Sequence, residues 1–301
     1  MQTLNNIKGL LRGAFDLHVH SAPDIVPRLL DDVELARLYR DYGFGGFVIK
    51  NHYSPTYDRA YLVKRFVSGI EVFGGVVLNN SVGGLNPRIV YVAGKSGAKI
   101  IWFPTVDSAN ERSSLLNWRS KPNPPAWART QLELYERDLL GDAISILDED
   151  GRIKPEVDEI LDIIREFNMI LATGHLSPSE GMQLVRRAVE RGVKKIIITH
   201  PEFPTTRYSI EQQRELAGYG VYFERCYESV LTGRASIKDV ARAIRETGID
   251  RNILSTDLGQ AHNEPPPQGY AKFIEELIDE GFAIDEIEVM TKENQRKLLY
   301  E

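Results

Sequence analysis

Eight short runs rich in valine, isoleucine and phenylalanine, each bounded by glycine, proline, asparagine or aspartate, recur along this chain with helix-patterned segments between them. They extend from Ala14 to His20, Gly46 to His52, Glu71 to Asn79, Lys99 to Pro104, Met169 to His175, Lys195 to His200, Gly220 to Cys226 and Asn252 to Asp257. Among the intervening segments, PEVDEILDIIREF puts Val157, Ile160, Leu161, Ile164 and Phe167 on one helical face, and SEGMQLVRRAVERG is closed by Gly192. Strand, helix, strand at this spacing implies parallel strands covered by helices, the α/β class. Eight such units in 301 residues fit a closed (β/α)8 TIM barrel, whose sites lie at the C-terminal ends of the strands. A doubly wound open sheet is the alternative, but its ligands gather at one switch point.

Five of the six histidines fall where one of these runs gives way to a loop: His18 and His20 in FDLHVHS, His52 in FVIKNHY, His175 in ILATGHL and His200 in IIITHPE. Asp257 in ILSTDLG does the same on the eighth run. Spread over runs one, two, five, six and eight, they suit a barrel mouth. Imidazole and carboxylate together are the donors that zinc and its neighbours prefer. His18 and His20, two apart, point to the same side of a strand, and Asp16 is expected on that face deeper in the barrel, where it can orient a ligand histidine. Asp257 is either a general base or the N-cap of the following turn, and the base is preferred.

These residues resemble the amidohydrolase superfamily of metal-dependent hydrolases along nearly the whole chain. The HxH of the first strand, single histidines on strands five and six, the strand-eight aspartate and the closing TKENQRKLLYE, with its Asn-x-x-x-x-Leu pattern, carry the likeness. The resemblance implies a TIM barrel and a divalent metal, one or two ions, zinc first, with manganese, iron or nickel the alternatives. It makes His18, His20, His175, His200 and Asp257 the ligands. It gives Asp257, and His200 in a single-ion version, catalytic roles in cleaving a C–N bond of a small amide or cyclic amide with activated water. The chain departs from the pattern at strand four, which ends WFPTVDS without the usual bridging lysine or glutamate. Strand two instead ends with Lys50 and His52. Both are expected to bind substrate. Lys50 has two other readings, a carboxylated bridge or a buried lysine paired with Asp16, and His52 has three: further ligand, proton shuttle or structural histidine. A phosphoesterase of the polymerase-and-histidinol-phosphatase type, a metal-dependent decarboxylase and a non-catalytic metal-binding barrel are the competing functions.

Composition bounds the partners. A net charge of −6 offers no basic footprint for nucleic acid or an anionic membrane, so a small molecule is the expected partner, with a second copy of the chain also compatible. One cysteine, Cys226, excludes an internal disulfide framework and fits the cytoplasm as a buried thiol. No stretch is long and apolar enough to span a bilayer, and the opening MQTLNNIKGLLRG lacks the core of a leader. The chain is expected to be one domain, 1–301, with residues 107–155 inserted after strand four as a lid. In that insertion Pro122, Pro124 and Pro125 oppose regular structure, while Trp118 and Trp127 either cover the site or seal a subunit contact or minicore. AISILDEDGRI is expected to form a two-stranded excursion turning at Asp150-Gly151. Two further features stand out. In YFERCY, one of Glu224 and Arg225 is expected to face the mouth and the other the helices, because an unpaired charge in a strand is costly. In NNSVGGLNP, Asn79 or Asn80 is a candidate substrate contact. His262, in a polar loop, is left out of the ligand set.

Overall fold

The computed structural model describes residues 9–301, so most of the opening segment considered as a leader, residues 1–8, lies outside the described residues. Eight strands form in the expected places: β1 Phe15–His20, β2 Gly46–Lys50, β3 Glu71–Val77, β4 Ile100–Trp102, β5 Ile170–Ala172, β6 Ile196–Thr199, β7 Tyr222–Cys226 and β8 Asn252–Ser255. They pair in parallel in sequence order. The sheet closes on itself just beyond β8, where the Asp257 amide donates to the His18 carbonyl and the His20 amide to the Leu258 carbonyl, each at 2.8 Å. This is a (β/α)8 barrel.

Several strands stop short of the expected end because the functional residues leave the ladder. His200 and Asp257 have φ of 27° and 53°, a left-handed conformation that non-glycine residues adopt at some cost. Gly259, with φ of 121°, sits where any Cβ would collide with the carbonyl of His20, so glycine is required for β1 to meet the β8 loop.

The barrel interior is filled by Leu17, Val48, Ile100, Trp102, Ile170 and Ile253, with Leu298 and Leu299 of the final helix, Asn294–Tyr300, packed against them. Outside it, helix Pro155–Glu166 buries Val157, Ile160, Leu161 and Ile164 completely, the face read from its periodicity. Full burial of each such side chain contributes roughly 1.5–3 kcal/mol. Helix Pro178–Glu190 begins in a capping box from Ser177 and is followed by Gly192 at φ 80°.

Two local expectations are corrected. Asp16 does not share the face of His18 and His20, because β1 carries an irregularity: Asp16 pairs with Phe47 but Val19 with Ile49, so three steps on β1 match two on β2. The bulge turns Asp16 toward Tyr39 and Thr256, whose hydroxyls donate to it at 2.5 and 2.6 Å. The two-stranded excursion in AISILDEDGRI reduces to a single bridge, Leu147 to Ile153, because the Asp148 carboxylate accepts the amides of Asp150 and Arg152 and holds the segment in a tight turn. The rest of residues 107–155 contains helices Ala109–Leu115 and Ala126–Glu136, the second starting directly after the prolines. Among the described residues no helix is long and apolar enough to cross a membrane.

Candidate metal centre

At the C-terminal mouth the five strand-end imidazoles form a closed ring. Neighbouring centroids are 5.6 Å apart for His18 and His20, 5.0 Å for His20 and His52, and 5.8 Å for His52 and His175. The ring is completed by 4.9 Å between His175 and His200 and 6.0 Å between His200 and His18. Most of these rings are held from outside through Nδ1. Glu224 binds His18 at 2.9 Å, Thr105 binds His52 at 2.8 Å, Thr206 binds His200 at 3.2 Å, and Glu111 lies 3.4 Å from His175. Anchoring Nδ1 fixes ring orientation and leaves Nε2 for the interior, the arrangement that supports metal-binding histidines.

Inside the ring, the structure brings three of the expected ligands to one point. Asp257 Oδ1 lies 3.0 Å from His18 Nε2 and 3.1 Å from His20 Nε2. Three lone-pair atoms this close require a proton or a cation among them, and two imidazoles with a carboxylate are a donor set that suits a borderline divalent ion. His175 and His200 stand across the ring, outside this tight cluster, and line the same cavity. Burial raises the Asp257 carboxyl, but the His18 and His20 imidazoles outweigh it and hold the group well below the usual carboxylate range. Burial likewise depresses His18, yet the Asp257 and Glu224 carboxylates bring it up to about 9. Burial keeps His20, His52 and His200 well below the ordinary imidazole value, so they are neutral donors at pH 7.

Lys50 is buried, with Nζ 2.9 Å from His18 Nε2 and 5.8 Å from the centre of the Trp102 ring. It is not paired with Asp16, whose oxygens are taken by Tyr39, Thr256 and the His18 amide, so that reading is withdrawn. Asn79 and Asn80 are also removed from the substrate contacts. Asn79 donates to the His52 carbonyl and to Thr105, and Asn80 donates to the carbonyls of Leu140 and Asp142. Asp257 caps no turn with its side chain, which faces the imidazoles.

The β7 pair divides as its charges require. Glu224 faces inward, on His18 and on Ser255 at 3.1 Å. Arg225 points out and is fully buried against Glu202, Gln213, Asn252 and Thr247. Cys226 is buried, with its sulfur 3.8 Å from His18 Nδ1.

A cavity of about 300 Å³ opens above the ring. Its walls include Val26, Val106, Phe203 and, from the segment between β4 and β5, Pro125, Ala126 and Trp127. Trp127 meets Trp118 edge to face with centroids 6.0 Å apart. His262 is at the exposed rim. Residues that sequence reading missed are Thr105, Glu111 of helix Ala109–Leu115 and Thr206, which lie against histidines from outside the strands, and Arg28, Glu228 and Arg234, which line the cavity. None is marked by strand-end position or periodicity, whereas Glu224 was visible as a charge inside an apolar run.

The model of a family of unknown function, DUF6282, matches residues 13–224. No curated protein matches the chain. Among solved structures, an amidohydrolase from Pseudomonas aeruginosa is 12% identical, with a TM-score of 0.67 over 98% of this chain and 97% of that one. A protein assigned as a 2-pyrone-4,6-dicarboxylic acid hydrolase from Pseudomonas putida is 14% identical, with a TM-score of 0.57 over 95% and 97%. The organophosphorus hydrolase from Deinococcus radiodurans is 14% identical, with a TM-score of 0.58 over 95% and 92%. At these identities the likeness concerns the fold, which is the barrel expected from the sequence resemblance.

Proposed function

The chain belongs to DUF6282, a family of unknown function, and we propose that its barrel mouth carries out metal-dependent hydrolysis of a small molecule. The observation that carries this reading is the meeting of His18 Nε2, His20 Nε2 and Asp257 Oδ1 within hydrogen-bonding distance, beneath a cavity large enough for a small ligand. The names of the solved neighbours, an amidohydrolase, a pyrone dicarboxylic acid hydrolase and an organophosphorus hydrolase, support hydrolysis as the reaction type. The C–N bond of an amide or cyclic amide is the first class to test.

His18, His20 and Asp257 would hold the ion, zinc first, with His175 and His200 as the further donors. A bound divalent cation supplies Lewis acidity, polarising a scissile carbonyl and making water nucleophilic near neutral pH. Asp257 would take the proton from the attacking water and return it to the leaving group. With a single ion, His200 is free to polarise the carbonyl oxygen. Glu224 keeps the His18 ring oriented through Nδ1, and Glu111 does so for His175. Lys50 and His52 contact the substrate from the β2 side, and Trp127 of the inserted lid shields the reacting bond from bulk water. The single buried thiol suits a reducing cytoplasm.

The test is turnover of matched amides, cyclic amides, lactones and esters, with and without chelator, in wild type and Asp257→Asn. Chelator-sensitive hydrolysis that falls in the variant supports the reading; full activity in Asp257→Asn contradicts it. The presence of His52 in the ring favours one second reading, a phosphoesterase. Turnover confined to phosphomonoesters with added manganese or zinc would select it.

A further inference from the structure

Arg28 is a cation of the cavity that the proposed reaction leaves unused. The Arg28 side chain is 4% exposed, and its Nε and Nη2 both bind Asp24 Oδ2 at 2.7 Å. The Asp24 side chain is itself shielded from solvent and accepts the Val26 amide, so the pair is fixed to its loop. That loop is in turn fixed to the catalytic end of β8, because the Leu29 amide donates to the Gly259 carbonyl at 2.9 Å and Arg28 bridges Gln260. A guanidinium carries five N–H donors in a planar fork. Asp24 takes one edge, and among the described residues no protein acceptor meets Nη1.

Arg28 lines the cavity beside His20, Lys50 and Asp257. A preoriented guanidinium edge at that position recognises a planar anion. Two other guanidiniums line the cavity and are held less firmly: Arg234 donates to Glu228 through Nη1, and the exposed Arg129 donates to the carbonyl of Pro124, whereas Arg28 is gripped at two nitrogens by one carboxylate. The cavity also contains the Glu111, Glu228 and Asp257 carboxylates, which offset the charges of Lys50, Arg129 and Arg234 and oppose a second negative charge on the ligand. Val26, Pro27, Val106, Ala126, Trp127 and Phe203 give it an apolar side, facing the strand-end imidazoles.

We propose that Arg28 is a specificity-determining residue and that the substrate is a small monoanionic carboxylic acid with an apolar body, its carboxylate received on the Nη1 edge beside the reacting centre. This deepens the hydrolase reading and rests on it. A residue that served only to anchor its loop would make no distinction between charged and neutral ligands.

The experiment is calorimetric titration of the metal-bearing protein with benzoate, benzamide and phenyl phosphate. Benzoate is expected to bind at least about tenfold more tightly than either of the others, the equivalent of one good charge-assisted contact. Arg28→Lys keeps a cation beside Asp24 but loses the fork, and it should lose most of that preference. Because Arg28→Gln alone strands a buried carboxylate, it is combined with Asp24→Asn, which replaces the ion pair by two amides; this double variant should fold and bind benzoate and benzamide alike. The proposal is overturned if benzoate fails to bind, if benzamide or phenyl phosphate binds as tightly in wild type, or if the preference survives in either folded variant. Failure of the hydrolase reading is seen separately, as absence of turnover of any ester, lactone or amide.

Discussion

At the residue scale, the site depends on how each imidazole is oriented. Glu224 holds His18 through Nδ1 and so directs Nε2 to Asp257. Glu224→Gln should weaken divalent-metal affinity by roughly 10–100-fold, measured by competition with a chelator of known affinity; unchanged affinity would remove Glu224 from the support of the centre. Asp257→Asn should lower kcat by about 10²–10⁴-fold if the carboxylate moves the water proton, and the loss should persist at saturating metal, which separates proton transfer from ligation. The strand-end histidines were legible in the sequence because each terminates an apolar run. Their anchors were not. Thr105 and Thr206 lie between regular elements and Glu111 on the short helix Ala109–Leu115, where position in the chain carries no periodic signal of what a side chain meets. Asp16 shows the converse limit: alternation assigns a face only while the ladder is regular, and one bulge reversed it.

At the element scale, the outer layer carries charges that stabilise it unequally. Arg225 of β7 is buried against Glu202, and removing one partner of such a pair strands the other. Glu202→Ala should destabilise the fold by about 3–5 kcal/mol, seen as a lower urea midpoint; a loss below about 1 kcal/mol, the range of an exposed pair, would mean that water reaches the guanidinium. Arg187 and Asp158, by contrast, link two helices near the surface, with contacts of 2.6 and 2.7 Å. The hydrogen bond from Arg187 holds the Asp158 carboxyl below its ordinary value of 3.8. A depressed carboxylate contributes its stability above the unfolded value and loses it as pH falls through the folded one, so the gain lies at neutral pH and fades below about pH 4. Arg187→Ala should therefore show a shallower loss of urea midpoint between pH 5 and pH 3 than wild type, and an identical slope would contradict the linkage. The eight strands and the Pro155–Glu166 helix were legible because period and punctuation are local. The turn near Asp150-Gly151 was legible too, but not how short its pairing is, since the Asp148 carboxylate captures two amides across it.

At the scale of the whole molecule, the order of units along the chain is the order of strands around the barrel, which is why a local reading could assemble the fold. Closure brings His18 and Asp257, 239 positions apart by numbering, to 3.0 Å. The cavity above them was less legible, because its walls come from loops whose lengths and contacts follow no period. Trp127 of the segment between β4 and β5 lines it, and Trp127→Ala should leave metal content unchanged while lowering kcat/KM about tenfold, the equivalent of part of one buried aromatic contact; unaltered kinetics would assign that segment to another role. The central claim is that His18, His20 and Asp257 hold a functional divalent ion. Elemental analysis of the purified protein and of His20→Ala tests it most directly: the account predicts at least one divalent ion per wild-type chain and a marked loss in the folded variant, while a wild-type protein free of stoichiometric divalent metal after growth in metal-supplemented medium would contradict it.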